Sequence, residues 1–115
     1  MAKNILVVED NDDLRQIFMS IIRFSGYQIS EAGSGSEAIE KAAFAKPNLI
    51  LLDLTLPDMT GIDVARAIQK HSVTADIPII ACSAYRSGEE MEAALRAGSV
   101  DYLEKPIPSP SSKQR

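Results

Sequence analysis

The chain has 115 residues and a mass of 12.5 kDa, and its 45% hydrophobic and 24% charged residues are typical of one soluble globular domain, which excludes a disordered or fibrous protein. Its formal net charge of −4 excludes the basic surface that binds nucleic acid, and its single cysteine, Cys82, excludes an internal disulfide or a zinc cluster. The apolar runs are too short to span a membrane and the first leads directly into acidic residues, unlike a signal peptide, so we expect a cytoplasmic protein with no membrane partner.

Short apolar runs alternate with amphipathic segments of helical length along the first half of the chain. Residues 4–8 predict a buried strand, and apolar residues at helical spacing from Asp12 onward predict a helix that Gly26 ends. Residues 27–31 predict a second, less buried strand. Ser34, with Glu37 three positions later, predicts a capping box and therefore a second helix.

The second half continues this alternation. The apolar run at residues 48–53 is typical of a central parallel strand, and a third helix follows the turn at residues 56–61. Residues 77–83 predict a fourth strand. Ser87 begins another capping box and a fourth helix, and residues 100–103 predict a short fifth strand. This order is typical of an α/β domain with a parallel sheet.

The composition changes after Pro106. Pro108 and Pro110, together with several serines, are incompatible with a helix. We therefore expect one folded domain at residues 1–106 and a flexible tail at residues 107–115.

Acidic residues lie at the predicted carboxyl ends of two strands. Glu9 and Asp10 follow the first strand, and Asp53 ends the third. Ligands of an open parallel sheet bind beyond these strand ends. If the two strands are neighbours, three carboxylates meet in a small volume, and a cation must balance their charge. Oxygen ligands without histidine or cysteine suit Mg²⁺, and Lys105 can add positive charge. Each residue alone also has an ordinary explanation as a solvated surface group, so the shared placement is what favours a site.

Several motifs together resemble the receiver domain of two-component response regulators over residues 4–106. They are the pair Glu9-Asp10, Asp53 after its apolar run, the turn at residues 56–61, the pair Ser83-Ala84, and the segment Asp101-Tyr102-Leu103-Glu104-Lys105-Pro106-Ile107. The resemblance implies a doubly wound, flavodoxin-like sheet of five strands in the order 2-1-3-4-5. It also implies a fifth helix, which the prolines exclude here, so we expect four helices.

The resemblance also implies which residues accept the phosphoryl group and bind the metal. Asp53 is the expected phosphoacceptor, and Asp10 is expected to bind Mg²⁺ directly. Glu9 is expected to act through water, and the backbone carbonyl of Thr55 to complete the protein's share of the coordination. A carboxylate nucleophile of this kind forms an acyl phosphate.

Four further residues have roles implied by the resemblance. Ser83 and Lys105 are expected to contact phosphoryl oxygens, and the small Ala84 to leave room for the phosphodonor. Tyr102 is expected to follow Ser83 as a switch. The domain would then take its phosphoryl group from a histidine kinase or histidine phosphotransfer protein and pass the signal to an unidentified downstream protein.

Three alternatives to this function differ in what they require. An aspartyl phosphatase similar to the haloacid dehalogenase group would need a second acid two positions after its nucleophile to act as general acid and base, where this chain has Thr55. A flavin-binding module wants phosphate donors in the first loop, which is acidic here. A phosphorylation-independent interaction module stays open because the fifth helix is missing. That gap is also expected to uncover Ile17 or Ile21, which makes a homodimer a candidate assembly.

Overall fold

A computed structural model describes residues 3–83, 92–93, 95–97, 99 and 101–104, with the backbone alone at residues 83 and 101–104. Within this part of the chain the strands are β1 (Asn4–Val8), β2 (Gln28–Ala32), β3 (Leu49–Asp53), β4 (Ile79–Ser83) and β5 (Asp101–Glu104). The helices are α1 (Asp12–Phe24), α2 (Gly35–Ala45) and α3 (Gly61–Lys70). None of the described helices is both long enough and apolar enough to cross a membrane.

The strands form a parallel sheet in the order β2-β1-β3-β4-β5, which is the order implied by the resemblance. The α/β class with a parallel sheet is thereby confirmed. Val8 at the end of β1 pairs with Ala32 on one side and Leu52 on the other. Asp53 pairs with Cys82 of β4. The strand order reverses beside β1, so the ends of β1 and β3 lie where a ligand site is expected.

Strand β1 is buried on both faces of the sheet. Ile5 and Val7 pack with Met19 of α1 on one face. Leu6 and Val8 belong to a larger cluster that includes Ile68 of α3 on the other face. Alternate residues of a strand point to opposite faces, so burial on both sides explains why this strand is continuously apolar.

Side-chain caps set the starts of the helices. The Asn11 side chain accepts a hydrogen bond from the Leu14 amide at 2.9 Å, so α1 begins at Asp12 as predicted. Ser34 caps α2 by accepting from the Glu37 amide at 3.2 Å. The Glu37 carboxylate, however, accepts from the Gly33 amide at 2.8 Å and not from Ser34, so the predicted capping box is displaced by one residue.

Four of the five predicted strands differ from the observed ones in their bounds. Strand β3 begins one residue later than predicted, and β5 begins and ends one residue later. Strand β2 begins and ends one residue later than predicted. Strand β4 begins at Ile79, because the Ile77 amide donates to the carbonyl of Thr74 in the preceding turn and Pro78 has no amide hydrogen. That turn is fixed by the Thr74 hydroxyl, which donates to the carbonyl of Ile68 at 2.7 Å.

Some predictions lie wholly or mostly outside the described residues. Of the fourth predicted helix, only residues 92–93 and 95–97 are described. Residues 92–93 and 95–96 are helical, and residue 97 lies in a turn. The tail at residues 107–115 and the expected absence of a fifth helix fall outside the described part. Ile17 is 40% exposed and Ile21 is 58% exposed. The homodimer that would cover these two side chains stays a prediction.

Candidate functional site

Three carboxylates lie together at the carboxyl ends of β1 and β3. Glu9, Asp10 and Asp53 each place one oxygen within 4.8 Å of the others. Glu9 and Asp53 are each only 2% exposed, whereas Asp10 is exposed to solvent. The cluster therefore has a buried base and one open side through which an ion or a phosphoryl group can approach.

The backbone of Glu9 is bound on both sides. Its amide donates to the carbonyl of Ala32 at 3.0 Å, beyond the last residue pair of β1 and β2. Its carbonyl accepts a hydrogen bond from Nη1 of Arg15 at 2.7 Å. The Asn11 amide donates to Oε2 of Glu9 at 3.2 Å, which orients the carboxylate at the start of α1. These contacts fix the segment that carries Glu9 and Asp10.

Asp53 is oriented by the loop that follows it. The Thr55 amide donates to Oδ1 of Asp53 at 3.0 Å, and the Leu54 amide donates to the carbonyl of Cys82 at 3.0 Å. Thr55 and Thr60 form an antiparallel bridge that closes the loop. The carboxylate is therefore bound both through its strand and through the turn beyond it.

Gly61 permits the close approach of α3 to the end of β3. A Cβ atom at this position would lie 2.3 Å from the carbonyl oxygen of Asp53 and 2.5 Å from Cα of Leu54. Both contacts are with backbone, which cannot rotate away. The Gly61 amide donates to the carbonyl of Leu54 at 2.9 Å. Glycine is required here because a side chain would displace the phosphoacceptor candidate.

Asp58 connects the same loop to α2. Its Oδ1 accepts from the Gly35 amide at 2.7 Å and its Oδ2 from the Ser36 amide at 3.0 Å. The hydrogen bond from Gly35, followed by that from Ser36, lowers the pKa of Asp58 below its ordinary value. The carboxylate thus satisfies two of the amides that a helix leaves without partners at its start.

The family follows from a comparison of the whole chain. The sequence model of the response regulator receiver domain matches residues 5–114. This chain belongs to the receiver domain family. The match runs past Pro106 into the predicted tail, so the domain boundary at residue 106 stays a prediction.

Individual relatives of this receiver domain cover nearly all of it. The chemotaxis protein CheY of Thermotoga maritima is 36% identical over 108 residues, which is 93% of this chain and 88% of the relative. The polar-differentiation response regulator DivK of Brucella ovis is 34% identical over 110 residues, or 96% of this chain and 89% of the relative. The receiver domain of a sensor histidine kinase from Pseudomonas aeruginosa has a TM-score of 0.85 and 30% identity, covering 99% of this chain and 93% of that one. That structure has a magnesium ion coordinated in the active-site cleft.

Of the remaining predicted site residues of this chain, two lie in the described part of its structure and two lie outside it. Ser83 is the last residue of β4, at the same edge as Asp53, and Tyr102 lies in β5 opposite Ala81. The side chains of Ser83 and Tyr102 are not described. Ala84 and Lys105 lie outside the described residues, so their roles stay predictions.

The donor set of this receiver domain fits a hard divalent cation. It consists of three carboxylates within reach of one another, with no histidine or cysteine among them. Like charges at this spacing repel, and a cation between them removes that cost. Carboxylate oxygens with one open side match the preference of Mg²⁺, which keeps several waters and takes few protein ligands.

Sequence reasoning missed two residues that contact the site segments of this receiver domain, Arg15 and Asp58. Nothing in the sequence distinguishes Arg15 from other basic residues of a helix, and Asp58 falls within the predicted turn at residues 56–61 without a role of its own. Their partners Glu9, Glu31 and Gly35 come from other elements of the fold. No local pattern could have indicated these contacts.

Proposed function

We propose that this receiver domain accepts a phosphoryl group on Asp53 from a histidine kinase or histidine phosphotransfer protein, in a reaction that requires Mg²⁺. The observation that carries the proposal is the buried Asp53 carboxylate within 4.8 Å of Glu9 and Asp10 at the ligand-binding edge of the sheet. Phosphorylation then alters a surface that binds a downstream protein. Membership of the receiver domain family supports this reading.

The proposed transfer uses one oxygen of Asp53 as the nucleophile. This oxygen attacks the phosphorus of a phosphohistidine, and an O–P bond forms as the P–N bond breaks. The histidine nitrogen leaves with the electron pair of that bond and takes up a proton from solvent. The product on the receiver is an acyl phosphate. The Thr55 amide, which donates to Oδ1 of Asp53, fixes the orientation of the carboxylate for this attack.

Glu9, Asp10, Asp53 and the carbonyl of Thr55 are the groups that would hold Mg²⁺. When bound, Mg²⁺ supplies positive charge that offsets the charge of these carboxylates and of the phosphoryl oxygens. Ser83 and Lys105 would contact the remaining phosphoryl oxygens, and Ala84 would leave access for the donor. Beyond its own phosphorylation and dephosphorylation, we assign the domain no turnover of other substrates.

Labelling with acetyl phosphate and Mg²⁺, followed by intact-protein mass spectrometry, tests the proposal. The wild-type domain should gain the mass of one phosphoryl group, and Asp53→Asn should gain none. Asp63→Asn is the matched control, because Asp63 is an exposed acid in the first turn of α3 and should leave labelling unchanged. Labelling that persists in Asp53→Asn contradicts the assignment.

A direct Mg²⁺ titration by calorimetry separates the alternative function. The wild-type domain should bind Mg²⁺, and Asp10→Asn should bind it more weakly because one carboxylate charge is lost. A wild-type domain that neither binds Mg²⁺ nor becomes labelled would instead favour a phosphorylation-independent interaction module.

A further inference from the structure

The Arg15 side chain connects three segments beside the acidic site. Its Nη1 donates to the carbonyl of Glu9 at 2.7 Å, and its Nε donates to Oε1 of Glu31 at 2.8 Å. Its Nη2 donates to Oδ1 of Asp12. The Arg15 side chain is only 15% exposed, whereas its partner Asp12 is 83% exposed, so the contact with Asp12 is the most open to water. One guanidinium thus joins the end of β1, the strand β2 and the first turn of α1.

The contact with Glu9 distinguishes Arg15 from an ordinary surface ion pair. Glu9 is almost fully buried, and a buried carbonyl without a hydrogen bond destabilises the fold. Because the Glu9 amide already donates to Ala32, the bond from Arg15 leaves the peptide groups around Glu9 with little freedom to rotate. The directions of the Glu9 and Asp10 side chains depend on that backbone.

We propose that Arg15 is a positioning residue for the cation site, which orders Glu9 and Asp10 so that their oxygens face Asp53. This inference rests on the proposed function. Arg15 touches none of the reacting atoms and acts through the backbone of Glu9. Lysine cannot replace it, because an ammonium group lacks the planar set of donors that reaches three partners in different directions.

Positioning and simple charge have opposite effects on cation binding. A positive charge beside three carboxylates repels Mg²⁺, so its removal alone would strengthen binding. Loss of positioning would weaken binding, since residues that orient metal ligands contribute about 10-fold or more to metal affinity. The sign of the change therefore identifies the role.

The experiment is a calorimetric titration of Mg²⁺ alone into the wild-type domain, Arg15→Gln and Arg15→Lys. We expect both variants to bind Mg²⁺ about 10-fold more weakly than the wild type. Arg66→Gln is the matched control, because Arg66 forms an exposed ion pair with Asp63 at 3.6 Å on α3, and its affinity should be unchanged. Equal or tighter binding by Arg15→Gln overturns the proposal.

A second variant keeps the proposal testable if the Arg15 variants fail to fold. Glu31→Gln leaves Arg15 and Glu9 in place but weakens the contact at Nε, and Glu31 itself is half-exposed. It should bind Mg²⁺ more weakly than Asp13→Asn, which also removes one negative charge, at the start of α1, but is not a partner of Arg15. Equal affinity of these two variants contradicts the positioning role. If the wild-type domain itself binds no Mg²⁺, the proposed function and this inference both fail. If the wild type binds and all variants bind equally, the inference alone fails.

Discussion

Replacing Gly61 with alanine tests whether the close approach of α3 to β3 sets the position of Asp53. The new Cβ would lie 2.3 Å from the carbonyl oxygen of Asp53, and contacts under 3.0 Å are essentially never seen. Relief of this one contact requires a displacement of about 0.7 Å, either of the start of α3 or of the end of β3. Asp53, the phosphoacceptor candidate, would move if the end of β3 shifts.

The expected cost follows from the nature of the contact. Overpacking typically costs about 1–3 kcal/mol, and contact with backbone places this site near the upper end. Alanine also lowers the conformational entropy of the unfolded chain relative to glycine, which offsets up to about 1 kcal/mol of this loss. The net loss is then about 2 kcal/mol, and a domain of this size changes its melting temperature by about 4 °C per kcal/mol. We expect Gly61→Ala to melt about 8 °C below the wild type.

The assay is thermal unfolding followed by far-ultraviolet circular dichroism, combined with the Mg²⁺ titration. Gly33→Ala is the matched control, since its Cβ would meet nothing closer than 3.6 Å. Its melting temperature should stay within about 2 °C of the wild type. A Gly61→Ala domain that melts like the wild type and binds Mg²⁺ equally well would show that this contact does not determine the position of the carboxylate.

Three further changes test the contacts around the sheet by urea unfolding. Asp58→Asn should make the free energy of unfolding depend less on pH in the acid range. The lowered pKa of Asp58 stabilises the fold above the ordinary carboxyl value of 3.8, and this contribution is lost as the pH falls through the folded-state pKa. An unchanged pH dependence contradicts the bond to α2. Asn11→Ala should cost about 1 kcal/mol through loss of the α1 cap, and no loss would show that the cap is dispensable. Ile68→Ala should lower the free energy of unfolding by about 2–5 kcal/mol because Ile68 is fully buried. Phe44→Ala is the control: Phe44 is 91% exposed, and its loss should change stability by less than about 0.5 kcal/mol. Similar costs for the two variants would contradict the assigned core.

Local patterns predicted the features that depend on neighbours in the chain. The bounds of β1, the first residue of α1 and the Ser34 cap all follow from spacing within a few residues. The meeting of Glu9 with Asp53 required the strand order as well, which the family resemblance implied. The structure then showed the two strand ends side by side.

The contacts that sequence reasoning missed are those made between distant segments. Asp58 follows β3, but its partners begin α2, and nothing in the turn sequence identifies them. The Glu37 carboxylate was predicted to bind the Ser34 amide, but Gly33 presents its amide to it instead. A capping pattern names the residue types that take part. The path of the incoming chain decides which amide is reached.

The pairing of β1 with β3 has a consequence for how the site comes into being during folding. Glu9 directly follows β1 and Asp53 ends β3. These two strands are adjacent in the sheet but separated in the chain by α1, β2 and α2. Such non-local pairs form only after the intervening loop closes, which makes them late and slow to assemble. A partly folded chain that has not docked β3 lacks the cluster of three carboxylates, and a cation that binds only the folded form would add to its stability by mass action. In a refolding experiment, cation binding should therefore appear only after β3 has paired with β1.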